Sequence, residues 1–377
     1  MEYKVNHAGK DVLFLVDDIE DSYLRRSAYE AIKNFYSQFS SKTDGEIVLT
    51  YRLTDHIDDF FNKDEEAIMS ESAKINSNQV FANGHGNKFG YEFIDGKLTT
   101  IYYNLVSPSR MENNKSKATS RAFLSHVENQ IAMMYSRGFL HGLQLKNLEE
   151  GASFMHACSF AVGDNGYIVA ATPGAGKSSL LLSMSFDDDL HAKFISDDFA
   201  CADVNAHAHF IGRSMAIKSH QIQYFPGLQS RFDDMSFWQK MQWFVLKKRG
   251  LKRMGTPGQI FGGNITTNMP VKRIIYLTNH NKDTFEHAPL PVADFADLNA
   301  NMLFSELFLG MEIVNHSLIL PGHHLLPTAD KFISSTRQTL AKIFENTPCV
   351  LVKVPFRSDP RKLLEYLKNE KIIGSRI

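Results

Sequence analysis

The chain has 377 residues, enough for two domains or for one large domain with a smaller lobe. Its 43% hydrophobic and 22% charged content sits in the ordinary range for soluble globular proteins. A formal net charge of −1 excludes a global field aimed at nucleic acid, a membrane or an acidic partner, and any anion site must be local.

The first 117 residues read as a mixed α+β lobe. Val12-Leu13-Phe14-Leu15-Val16 is a short apolar run, Ser22 to Phe39 is more helical, and Glu46 to Leu53 carries β-branched and aromatic residues. Phe89 to Tyr103 predicts a hairpin with Asp95-Gly96 as its turn. Met111 to Lys117 is a polar linker. Beyond it Phe123, Val127, Ile131, Met134 and Gly138 recur at helical spacing, which predicts an amphipathic helix from Ala118 to Arg137 inside a connecting segment, 118–139.

From residue 140 to the end, strand-like and helix-like segments alternate, the pattern of an α/β domain. Strands are expected at Ser153 to Val162, Tyr167 to Ala171, Lys193 to Ser196, Arg273 to Thr278 and Cys349 to Val354. Helices are expected at Lys177 to Met184, Leu298 to Glu312, Ala329 to Phe344 and Pro360 to Asn369. The turn Gly163-Asp-Asn-Gly166 is so short that the strand after it must run antiparallel to the strand before it.

Between the strand ending at Ala171 and the helix starting at Lys177 lies Thr172-Pro173-Gly174-Ala175-Gly176-Lys177-Ser178-Ser179. A glycine-rich turn from strand into helix, closed by Gly-Lys-Ser, is the phosphate-cradling pattern of nucleoside triphosphate sites. Glycines let backbone N–H groups approach phosphate oxygens, and the helix N-terminus adds partial positive charge. Lys177 can reach the β- and γ-phosphates of ATP, and the Ser178 hydroxyl can ligate Mg²⁺. Ala171 stands where that pattern usually has its first glycine. Twenty and twenty-one residues after Lys177 come Asp197 and Asp198, at the end of the apolar strand Phe194-Ile195-Ser196. One such carboxylate can hold Mg²⁺ and the other can accept a proton from an attacking hydroxyl.

Taken together, His156, the Gly163 to Gly166 turn, Gly176-Lys177-Ser178 and Ser196-Asp197-Asp198 resemble the HPr kinase/phosphorylase superfamily, in its divergent HPr-kinase-related branch. The likeness runs over roughly 140–377, with the specific motifs confined to 153–200. It implies an α/β fold, a P-loop kinase domain of HPr kinase type that is also similar to phosphoenolpyruvate carboxykinase, behind the smaller N-terminal lobe. It implies Asp197 as catalytic acid/base, Asp198 as a Mg²⁺ partner, and His156 as an orienting group beside the phosphates. The Glu-Ile-Arg-Gly signature expected after the aspartates is absent. Gly212-Arg213-Ser-Met-Ala-Ile-Lys218 stands there instead, which puts HPr itself in doubt as substrate and offers Arg213 or Lys218 to the transferred phosphoryl group.

The activity expected is Mg²⁺-dependent transfer of the γ-phosphoryl of ATP to a hydroxyl, on a peptide or protein serine first and a small molecule next. A nucleotide-binding regulator that transfers nothing and a carboxykinase-like enzyme are the alternatives. Cys158, Cys201 and Cys349 suit a reducing cytoplasm, Met1 to Lys10 has no apolar run of a signal peptide, and no stretch nears the roughly 18 apolar residues of a membrane span. Phe237 to Arg249 reads as a core-facing helix with a basic end, and Gly255 to Asn264 as either a mobile lid or an ordinary loop. His207, His209, His323 and His324 lack partners at metal spacing. A homo-oligomer is left open.

Overall fold

The computed structural model describes residues 1–17, 19–36, 45–62, 67–84, 87–106, 127, 130–131, 134, 138–211, 215–228, 230–232, 252–308, 320 and 325–374. Contacts divide the chain into two compact units: 1–118, 124–150 and 300–336 in the first, and 119–123, 151–299 and 337–377 in the second.

The first unit is built on an eight-stranded mixed sheet. Its strands are β1 (Glu2–His7), β2 (Lys10–Val16), β3 (Leu49–Thr54), β4 (Ile68–Met69), β5 (Ala73–Ile75), β6 (Gln79–Gly84), β7 (Asn87–Ile94) and β8 (Lys97–Asn104). Their order is β1-β2-β3-β8-β7-β6-β5-β4, parallel only where β3 meets β2 and β8. Helix Ser22–Tyr36 makes the crossover that a parallel β2–β3 pair needs, burying Leu24, Ala28 and Ile32 from one face. Every second residue of β2 is buried, as the period of a strand with one core face requires. The expected hairpin is β7–β8, and its Asp95 and Gly96 take φ of 51° and 73°, the left-handed pair that such a two-residue turn demands. Phe14, Tyr51 and Phe139 meet in the core with ring centroids 5.2 to 5.7 Å apart. Helix Leu140–Glu149 packs on β8, where a Cβ at Gly142 would fall 2.1 Å from the Ile101 side chain. Of the expected Ala118 to Arg137 helix only Val127, Gln130, Ile131 and Met134 are described; all four are helical and buried.

The second unit carries a nine-stranded mixed sheet and a two-stranded ribbon. In chain order its strands are β9 (Ser153–Met155), β10 (Ala157–Val162), β11 (Asn165–Ala171), β12 (Lys193–Ser196), β13 (Ala200–Ala202), β14 (His207–His209), β15 (Met215–Lys218), β16 (Lys252–Gly255), β17 (Asn268–His280), β18 (Glu286–Pro289) and β19 (Cys349–Pro355). β11 pairs antiparallel with β10, as the short turn requires, and parallel with β17, which in turn pairs parallel with β19. β12 flanks β10 on the far side, antiparallel to it and so parallel to β11. Helix Lys177–Met184 lies against β10 and β11, beside helix Pro360–Asn369. The ribbon is β15–β16.

Three expectations change. Ser153 to Val162 is not one strand, because the chain leaves the ladder at His156: β9 pairs with β13, whereas β10 pairs with β11 and β12. The helix expected from Leu298 begins earlier, at Val292, directly after Pro291, whose carbonyl accepts from Phe295 N–H at 3.1 Å. Gly255 to Asn264 is not a plain loop: it holds a short helix, Pro257–Phe261, opened by a Thr256–Gln259 capping box and closed at Gly262 with φ 59°. Met111 to Lys117, Phe237 to Arg249, Arg213, His323 and His324 lie outside the described residues. Among the described residues no helix is long and apolar enough to cross a membrane.

Candidate functional site

β11 ends at Ala171, paired with Leu277 and almost wholly buried. An alanine is tolerated there because the residue still belongs to the strand and needs no left-handed backbone. The chain then turns tightly: Thr172 N–H donates to the Leu277 carbonyl at 3.1 Å, and Ala175 N–H to the Thr172 carbonyl at 3.1 Å. Gly174 and Gly176 take φ of 85° and 105°, and nothing lies within 4 Å of a Cβ built on either. Their freedom is therefore needed for the backbone, with open space in front of the turn. Gly176 is the N-cap of helix Lys177–Met184, and its carbonyl accepts from Leu180 N–H at 2.8 Å. Pro173 and Gly174 are exposed, Thr172, Ser178 and Ser179 half-buried, and Ala175 and Lys177 buried.

β12 brings the carboxylates to the same edge of the sheet, since it is parallel to β11. Its last residue, Ser196, is held under β10 by a 2.6 Å hydrogen bond to Ser159, both hydroxyls being buried. Asp197 follows, 4% exposed, and its Oδ1 accepts from the Ser178 hydroxyl at 3.0 Å. That bond joins the helix after the glycine turn to the paired aspartates. Asp198 takes φ 71°, and the Phe199 N–H donates to the Asp197 carbonyl at 2.8 Å across it. A non-glycine residue held in the left-handed region costs on the order of 1–3 kcal/mol, a strain that concentrates at functional positions.

Beneath the turn the Cys158 thiol lies 3.9 Å from the Lys177 carbonyl. Burial pushes that thiol up first, the Asp197 charge adds to the rise, and Lys177 opposes it, so it stays a neutral thiol. The charges of Lys177 and Asp197 thus share one poorly solvated neighbourhood.

His156 sits at the break between β9 and β10, 8% exposed, with its ring edge-on to Phe199 at 6.0 Å. Its backbone N–H, released from both ladders, donates to Asn299 Oδ1 at 3.0 Å. Lys218 ends β15 with an exposed side chain; its own N–H donates to Gln221 Oε1 at 2.7 Å, while Gln221 Nε2 donates to Ser179 Oγ at 3.1 Å. Asn299, Gln221 and the Ser159–Ser196 pair had no signature in the sequence.

The donor set of Ser178 and the two aspartates is hard oxygen, the kind Mg²⁺ takes when one or two carboxylates and substrate phosphates complete its shell. A Ca²⁺ cage or a zinc site asks for more protein ligands, and no three His, Cys, Asp or Glu converge among the described residues.

No family model matches the chain, and no curated protein matches it. Among solved structures it is similar to the Hpr(Ser) kinase/phosphatase from Coxiella burnetii, at 9% identity, with 58% of this chain and 97% of that chain covered and a TM-score of 0.28. A superposition that loose says nothing about activity, and the chemistry rests on the residues above.

Proposed function

We propose that this chain is a kinase: it holds a nucleoside triphosphate with Mg²⁺ at Thr172 to Ser179 and transfers the γ-phosphoryl group to a hydroxyl, of which a peptide or protein serine is the first choice. The observation that carries the reading is the 3.0 Å hydrogen bond from the Ser178 hydroxyl to buried Asp197, across from a glycine turn that leaves open space. A phosphate-cradling turn with no carboxylate beside its serine would be an anion site only.

In this reading the N–H groups of the turn and the N-terminus of helix Lys177–Met184 bind the phosphates, and Lys177 balances their charge. Ser178 and Asp198 hold Mg²⁺, which supplies charge neutralisation on the phosphate oxygens when bound. Asp197 accepts the proton of the acceptor hydroxyl. Its burial keeps water from competing for that position, and His156, fixed through Asn299, orients the polar edge of the site. Lys218 and Arg213 are the cations offered to the transferred group.

Incubation with γ-labelled ATP, Mg²⁺ and serine-bearing peptide pools tests this reading. Label should pass to an acceptor hydroxyl, and Asp197→Asn should slow the passage by at least about two orders of magnitude while ATP still binds. Release of label as phosphate alone, unchanged in Asp197→Asn, would instead describe a regulatory nucleotide hydrolase.

A further inference from the structure

Three parallel strands, β11, β17 and β19, end at the edge of the sheet that carries the glycine turn. They do not end level. Ala171 stands opposite Leu277, yet β17 continues through Thr278 and Asn279 to His280, paired with Lys353, Val354 and Pro355. At 3.3 Å per residue the β17–β19 pair rises about 10 Å beyond the last rung of β11. The next residue, Phe356, extends the ladder by donating its N–H to the His280 carbonyl at 3.0 Å. Arg357 then turns the chain with φ 62°, and Asp359 caps helix Pro360–Asn369. That helix packs beside helix Lys177–Met184, so the Phe356 to Asp359 turn lies on the same face of the sheet as the glycine turn.

Phe356 is 65% exposed, and among the described residues of this unit no other Phe, Tyr or Trp side chain is exposed. The Arg357 guanidinium lies 5.2 Å from its ring centroid. An aromatic face beside a guanidinium is the pairing that holds nucleobases by stacking. Its place in the strand order fits such a ligand. Asp197 and Asp198 follow β12, which lies two strands from β11 on one side; Phe356 follows β19, two strands from β11 on the other. If the terminal phosphate points to the aspartates, the nucleoside end points to Phe356, about 10 Å from β11 at ordinary strand spacing.

We propose that Phe356, with Arg357, is the seat of the nucleobase, so that the donor is gripped at its phosphates by the glycine turn and at its base by this ring. The proposal rests on the nucleotide reading above, and its test separates the two. Calorimetric titration of the full chain with Mg²⁺-ATP and with Mg²⁺-tripolyphosphate, which lacks a base, compares wild type, Phe356→Ala and Phe356→Trp. Phe356→Ala should weaken ATP about five- to a hundredfold, the range for loss of one stacked base, and leave tripolyphosphate unchanged. Phe356→Trp should keep ATP affinity and show quenching of its fluorescence on binding. Unaltered ATP affinity in Phe356→Ala, or an equal loss for both ligands, overturns the base seat while leaving the phosphate turn intact. Failure of wild type to bind either ligand overturns both.

Discussion

Gly176 carries φ 105° at the N-cap of helix Lys177–Met184, with no atom near the position of a Cβ. A methyl group would meet no wall there, so the cost of Gly176→Ala is conformational, about 1–2 kcal/mol, and the turn would relax to escape it. We expect Gly176→Ala to lower the thermal midpoint modestly and to cut ATP affinity far more; an unchanged affinity would mean that the turn is not the phosphate cradle. Asp197→Asn keeps a hydrogen-bond acceptor for Ser178 and removes basicity. Phosphoryl transfer should fall by about 10²- to 10⁴-fold in single-turnover assays, with ATP binding preserved. Retention of near-wild-type transfer would remove Asp197 as the base. The backbone course from Thr172 to Ser179 was legible in the sequence because its signals are local: a strand, two positive-φ glycines and a helix. Asn299 was not, since it meets His156 across 143 residues.

The strands and helices followed the period of their apolar residues where one element did one thing. Helices Lys177–Met184 and Pro360–Asn369 fell where expected, each opened by a residue suited to end a strand or cap a helix. Ser153 to Val162 misled because its apolar run continues through a change of partners, and nothing in composition marks a strand that leaves one ladder for another at His156. The break has a cost that Asn299 offsets, because the His156 N–H is buried and needs an acceptor. Asn299→Leu should destabilise the protein by about 1–3 kcal/mol, measured as a shift in the urea midpoint at constant slope. A neutral substitution would show that the break is held by other contacts.

At the scale of the molecule, neither unit is continuous in sequence: 300–336 belongs with the N-terminal sheet. A linear reading sees composition shifts along the chain, not which distant segments share a core. The first unit also contains two buried imidazoles, His7 and His141, which burial pushes down to about 3, and His141 Nδ1 is paired with the Tyr91 hydroxyl at 3.0 Å. Both stay neutral when folded and can protonate when unfolded below about pH 6.5. The unfolded chain then binds more protons, so stability falls as the pH drops from about 6.5 and levels off near 3. Between pH 6.5 and 5 each histidine should cost about 2 kcal/mol, and the His7→Gln, His141→Gln double variant should flatten that slope in urea unfolding. An identical slope in the variant would assign the acid sensitivity elsewhere.

Nucleoside triphosphate binding is assigned by this proposal to Thr172 to Ser179, and loss of the Lys177 side chain probes that assignment. Calorimetric titration of wild type and Lys177→Ala with Mg²⁺-ATP, with circular dichroism confirming equal folding, is the measurement. Wild type should bind saturably and in a Mg²⁺-dependent way, and the variant should lose at least about tenfold in affinity, as that assignment requires for removal of a charge-assisted phosphate contact. Equal affinities in the two proteins, or no binding by either, would contradict it.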